Sequence, residues 1–320
     1  MFLTHLRNAA AFAAAFFLTL PLAAAPRAFI TNQLGDSVSV IDTESKSVIA
    51  TITVPGKPAG IAVSPDGSRV YVTAPESGEL AVIDAASNRL IAQVPISDGA
   101  LGIAVDQTGA TIFIADWYNN IVSVIDSKSL QIKKTIPVGK SPSGLAVSPD
   151  NRWLYVANRL DNSVSQIDLE TLRIRNTTKV GEHPFGLTVD RKGERIYVAN
   201  VESDDVTVLS RDHLKRIATV KVKMLPYAAA LALDDSLLFV TNQDDGTVSV
   251  IDTETLTERA VIDVGDKPEG IGTLPDGRFV YVANWFDDNV SVIDALSLEV
   301  IDTIETGGGS RAFGHFIVDD

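Results

Sequence analysis

Apolar residues in this chain come in short bursts. Runs of four to six residues rich in Val, Ile, Ala and Tyr are separated by Asn, Asp, Gly, Pro and Ser. Residues 58–96 show the pattern. Gly60-Ile-Ala-Val63 is followed by the turn Ser64-Pro-Asp-Gly67 and by Val70-Tyr-Val-Thr73. The partly alternating Glu79-Leu-Ala-Val-Ile83 and then Leu90-Ile-Ala-Gln-Val94 complete the unit. Pro fixes φ and Gly tolerates positive φ, so the turn suits a chain reversal. Short β-branched and aromatic runs between turn residues predict strands, four to a unit.

The unit recurs without insertion or deletion. Val38-Ser-Val-Ile-Asp42 has relatives ending at Asp84, Asp126, Asp168, Asp252 and Asp294, with Ser210 in the remaining slot, all at multiples of 42. A second marker keeps step at Asn32, Ala74, Asp116, Asn158, Asn200, Asn242 and Asn284. Four strands per unit of this length predict an all-β fold, a seven-bladed β-propeller with a 42-residue repeat. The rival, a solenoid of stacked β-arches, needs no ring closure and carries capping ends. The termini decide between them. The first unit begins at its second strand, Arg27–Asn32, and lacks an inner one. The last segment, Ser310–Asp319, is in phase with Pro58–Gly67 and then stops. Joined, the two complete one blade, so N- and C-terminal strands pair and close the ring with no open edge. Residues 26–320 are therefore expected to form a single propeller domain.

Ahead of it, Arg7 precedes the uncharged stretch Ala9–Leu20, followed by Pro21 and the small residues Ala23, Ala24 and Ala25. This is the layout of a cleavable secretory signal peptide over residues 1–25. The apolar stretch is short for a span of about 20 residues. No later stretch is long and apolar enough for one, so the mature chain is expected in the periplasm or secreted, with no transmembrane segment. The absence of cysteine excludes disulfides, thiol nucleophiles, iron–sulfur clusters and covalent haem c; it names no cofactor. With 27 basic and 41 acidic residues the net charge is −14, which works against nucleic-acid binding.

The repeats resemble the YVTN family of β-propeller proteins. Tyr155-Val-Ala-Asn158, Tyr197-Val-Ala-Asn200, Tyr281-Val-Ala-Asn284 and Phe239-Val-Thr-Asn242 carry the resemblance, each followed by a Val-Ser-Val-Ile-Asp-like strand. It covers residues 27–320 and is specific for fold. It implies little about activity, because relatives include surface proteins, a DNA-binding protein and the propellers of quinoprotein and haem d1 enzymes. It also implies that the loop entering each inner strand and the loop between the second and third strands share one face, called the top.

Residues repeated in every blade are read as scaffold. The Asp of Ile-Asp is expected to cap a turn, and the same holds for the Asn of Val-Ala-Asn. Gly60, Gly102 and Gly144 are small where inner strands crowd the axis. The doublets Asp204-Asp205, Asp244-Asp245 and Asp287-Asp288 read as loop residues, without calcium-loop spacing, and no metal site is expected.

Function is expected where the repeat varies. After the usual Pro of the entering loop the slot reads Ala59, Leu101, Ser143, Phe185, Tyr227, Glu269 and Arg311. The loops after the second strands bring Trp117-Tyr118, Arg159-Leu160 and Trp285-Phe286. Trp117, Tyr118, Arg159, Phe185, Tyr227, Trp285, Phe286 and Arg311 therefore define a candidate binding face for a partner protein or small molecule, since aromatics and Arg dominate interface energetics. Glu269 and Arg311 lie on neighbouring blades and are equally suited to a salt bridge. A catalytic alternative, a lactonase-type hydrolase or lyase at the channel mouth, rests on His183, Glu269 and Arg311, with no Ser–His–Asp order and no His-rich metal spacing behind it. A third reading is single-stranded nucleic acid stacked on Trp117, Arg159 and Trp285.

Overall fold

The computed structural model describes residues 25–319, so the predicted signal peptide lies outside the described residues apart from Ala25. Seven sheets stand around one axis. The second blade is typical: Gly60–Val63 lies innermost, then Arg69–Ala74, Glu79–Asp84 and Arg89–Pro95 outermost, all antiparallel. Five further blades follow, with inner strands Ala100–Val105, Pro142–Val147, Pro184–Val189, Pro226–Ala232 and Pro268–Thr273. The predicted all-β, seven-bladed architecture is therefore observed.

Burial explains why the strands are only partly alternating. The second and third strands of each blade are covered on both faces by the neighbouring blades, as in Arg69–Ala74 and Glu79–Asp84. Only the outermost strand keeps a regular in-out pattern, as in Ser47–Thr53. One aromatic per blade fills the space between sheets: Phe29, Tyr71, Phe113, Tyr155, Tyr197, Phe239 and Tyr281 are all buried. Full burial of such a ring contributes roughly 1.5–3 kcal/mol.

Closure joins the termini. The first blade holds Arg27–Asn32, Ser37–Asp42 and Ser47–Thr53, and its inner edge is Ile317–Val318. Arg27 pairs with Val318 and Ala28 with Ile317. Further bonds run from Phe29 N to Phe316 O, Arg311 N to Thr31 O and Gln33 N to Gly309 O, each 2.8 Å. The segment expected as one inner strand, Ser310–Asp319, is divided. Phe313–His315 leaves the first blade and pairs in parallel with Gly60–Ala62 of the second. Gly314 makes this crossing feasible: its φ is +130°, and a Cβ there would stand 2.1 Å from Ile61 O. The closing segment thus bonds two blades at once.

The repeated polar residues are turn and loop locks. Asp42, Asp84, Asp126, Asp168 and Asp252 each accept a backbone N–H three residues on, at 2.7–2.9 Å. These bonds hold their carboxyls below the usual range, with Asp126 at about 2. Asn158 donates to Ser163 and Ser165 and accepts from Gly139 N. A Cβ on Gly139 would lie 2.6 Å from Asn158 Cγ, so that loop must carry glycine. The acidic doublets also bond backbone: Asp204 accepts Leu225 N, Asp245 accepts Met224 N, and Asp288 accepts Gly309 N. Among the described residues no cluster of His, Asp and Glu is arranged to hold a metal ion. No described helix is long and apolar enough to cross a membrane.

Candidate functional site

The slot that begins each inner strand turns toward the axis and closes the top of the channel. Phe185 and Tyr227 are buried there, with ring centroids 4.2 Å apart. Phe313 joins them at 4.8 Å from Phe185 and 5.6 Å from Tyr227, and Trp117 touches Phe185 at 6.1 Å. Such offset and tilted pairs each add about 0.5–1.5 kcal/mol beyond simple burial.

A charged pair flanks this plug. Arg311 Nε lies 2.9 Å from Glu269 Oε2, with side chains 16% and 6% exposed. Arg311 Nη2 donates to the Tyr227 hydroxyl at 2.5 Å. Gln243 Nε2 donates to Glu269 Oε1 at 2.7 Å. Burial pushes the Glu269 carboxyl up while the guanidinium pulls it down. Burial also raises the Tyr227 phenol, which stays protonated and can donate onward. The predicted salt bridge between neighbouring blades is present, and it ties the closing segment to blades six and seven.

On the other side of the plug, the Arg159 guanidinium stands 5.6 Å over the Trp117 ring and 4.0 Å from Glu202. His183 Nδ1 lies 3.5 Å from the same Glu202 oxygen. Among the described residues no hydrogen bond or ion pair joins His183 to Glu269 or Arg311. The backbone of His183 follows the repeat: its φ is +53°, like Lys57, Ser141, Leu225 and Lys267 in the same slot, and its N–H bonds Asn162 Oδ1. Its conformation is therefore scaffold, and only its side chain is particular to this blade.

The structure thus brings Trp117, Arg159, Phe185, Tyr227 and Arg311 into one continuous chain across the axis. Trp285 and Phe286 stand apart, stacked at 4.6 Å, with Trp285 Nε1 donating to Gln33. Tyr118 and Phe286 project outward, 70% and 55% exposed. Leu34 and Leu160, in the same loop slot of other blades, are exposed as well. Phe313, Glu202 and Gln243 complete the arrangement but were not among the sequence candidates. For Phe313 a signal existed, since the same slot is Ile61, Ile103, Leu145, Leu187 and Ile271 in other blades.

Comparison with known proteins agrees with this geometry. A family model for lactonase, a 7-bladed β-propeller, matches residues 126–223, and one for YNCE-like β-propellers matches residues 8–105. The chain is a seven-bladed β-propeller repeat protein. Among solved structures it is similar to the Kuenenia stuttgartiensis hydrazine synthase, at TM-score 0.76 and 22% identity, over 88% of this chain and 99% of that one. A functionally unknown protein from Desulfotomaculum acetoxidans DSM 771 aligns at TM-score 0.77 and 16% identity, over 90% and 99%. The dihydro-heme d1 dehydrogenase NirN, in complex with DHE, aligns at 0.69 and 16%, over 89% and 74%. At these identities the likeness is one of fold. No curated protein sequence matches the chain.

Proposed function

We propose that this propeller is an exported, non-catalytic binding module that docks a partner protein on its top face. The supporting observation is an arc of exposed apolar side chains at one loop slot: Phe286, Leu34, Tyr118 and Leu160, on blades seven, one, three and four. The fold does not require them, because the same slot is Glu76, Glu202 and Asp244 in the remaining blades. Exposed apolar groups rimmed by charge mark protein contact surfaces, and aromatics supply their anchors. Trp117, Arg159 and Trp285 edge the arc, and Phe185, Tyr227 and Arg311 form a rigid floor under it. The burial of that floor favours a broad partner over a small molecule held among the central rings. Glu202, Asp244 and the net charge of −14 favour a partner with a basic edge over a phosphate backbone. Export rests on the leader at residues 1–25.

Photo-crosslinking tests this reading in the native compartment. A benzophenone amino acid at position 118 or 286 is expected to give one discrete protein adduct. The same group at Ile132, exposed on the outer edge of the third blade, is expected to give none. Equal or absent adducts at all three positions contradict the proposal.

A lactonase-type hydrolase is the second reading, favoured by the family match across residues 126–223, which include Arg159 and His183. It requires measurable hydrolysis of a simple lactone such as δ-valerolactone that is lost in His183→Ala.

A further inference from the structure

Beneath the aromatic plug, the inner strands surround a cavity of about 610 Å³. It opens on the face opposite the rim, among turns that carry Gln107, Pro149 and Asp234. Its volume lies within the range of about 300–1,000 Å³ that encloses small molecules. The wall is built from repeated slots. One of them reads Val63, Val105, Val147, Val189 and Leu231 in five blades, then Thr273 and His315 in the last two positions of the ring. The preceding slot is small nearly all round, with Ala62, Ala104, Ala146, Ala230, Gly272 and Gly314. The result is a largely apolar tube, polar at Thr188 on one blade and at a corner formed by Thr273 and His315.

The two residues at that corner are spare. Thr273 Oγ1 is buried with no hydrogen-bond partner among the described residues, and it is shielded from the cavity. The His315 side chain lines the cavity and is open to it, and neither a hydrogen bond nor a neighbouring charge acts on its ring. A buried polar group without a partner costs about 1–3 kcal/mol. Five blades fill the same slot with Val or Leu, so the fold itself does not call for Thr and His.

We propose that this cavity is a separate binding site for a small, uncharged, largely apolar molecule whose one hydrogen-bonding group, a carbonyl, hydroxyl or amide, meets the His315 ring. Enclosure by protein holds the imidazole below its usual range, so near neutral pH it offers one N–H donor and one acceptor. The opening gives an anion little attraction. Arg191, the Lys or Arg residue among the lining residues, is committed to Asp234 at 2.6 Å and Asp235 at 3.3 Å. This site is independent of the proposed docking rim, and neither reading depends on the other.

The probe is N-phenyl-1-naphthylamine, a neutral aromatic amine with one N–H whose emission rises in apolar surroundings. Titration is expected to show saturable one-to-one binding and to shift the His315 ring-proton NMR signal. His315→Val and Thr273→Val restore the residue type of the other blades. His315→Val is expected to weaken binding roughly tenfold and Thr273→Val, which removes a hydroxyl shielded from the cavity, to leave it unchanged, with melting temperature unchanged or raised in both. Absence of saturable binding, or binding that leaves the His315 signal unshifted, overturns the proposal. If His315→Val fails to fold, the NMR shift decides.

Discussion

Removing Glu269 isolates a buried cation. In Glu269→Ala, Arg311 keeps the Tyr227 hydroxyl at 2.5 Å but loses the carboxylate at 2.9 Å. Both side chains are largely shielded from water, so solvent cannot replace what is lost. Breaking a buried ion pair from one side costs about 3–5 kcal/mol, whereas replacing both members with apolar residues is near neutral or stabilising. Against a total stability of about 5–15 kcal/mol this is a large loss. At roughly 2–4 °C per kcal/mol for a domain of this size, the melting temperature is expected to fall by about 6 °C or more. A double-mutant cycle with Arg311→Met and Glu269→Met, followed by urea and thermal unfolding, separates pair from packing. The double variant is expected to recover most of the single variant's loss. A Glu269→Ala protein within about 0.5 kcal/mol of the parent would refute the reasoning, because surface substitutions already reach that range.

Other consequences are as direct. Deleting residues 311–320 removes the closing strand and its bonds to two blades; the melting temperature is expected to drop steeply, and an unchanged value counts against a closed ring. Tyr155→Ala empties a fully buried position between blades and is expected to cost about 3–5 kcal/mol in chemical unfolding. Gly139→Ala sets a Cβ 2.6 Å from Asn158 Cγ and is expected to be destabilising, whereas Gly109→Ala, where the nearest atom is 3.5 Å away, is strained only by its φ of +71°. Acid should unfold the protein over a defined window. The turn aspartates, Asp126 among them at about 2, are held below the usual carboxylate range by the backbone N–H groups they accept. Their contribution is present above pH 4 and lost as pH falls from about 4 toward 2, so circular dichroism melts should show a falling midpoint there.

The architecture was legible because a propeller writes its geometry into a fixed period. Six copies of one Asp, with Ser210 in the seventh position, and seven of one aromatic slot count the blades, and the half-units at residues 27–32 and 310–319 announce closure. What period alone could not convey is how a strand bends when it has two neighbours to satisfy. Phe313–His315 crosses to the second blade because Gly314 reaches a conformation that other residues avoid. The candidate site was legible in part. The varying slot after the entering Pro picked out Phe185, Tyr227, Glu269 and Arg311, and all four converge at the axis. Whether an aromatic of the top loops turns inward or outward depends on its neighbours across the ring, which are 42 or more residues away. Tyr227, in the entering loop, is buried by Phe313 and Arg311, whereas Tyr118, in the loop after a second strand, is 70% exposed. Thr273 escaped notice because a threonine in a strand is ordinary; it stands out only when the seven inner strands are aligned slot by slot.

The central claim is that the residues breaking the repeat on the top rim serve a protein partner. Native mass spectrometry of the protein taken from its own compartment tests this directly, with Tyr118→Ser/Phe286→Ser as comparison. The expected result is a reproducible protein-sized addition on the parent chain that is absent from the variant, with both folded. The bare mature mass in both, or an identical protein-sized addition in both, contradicts the account.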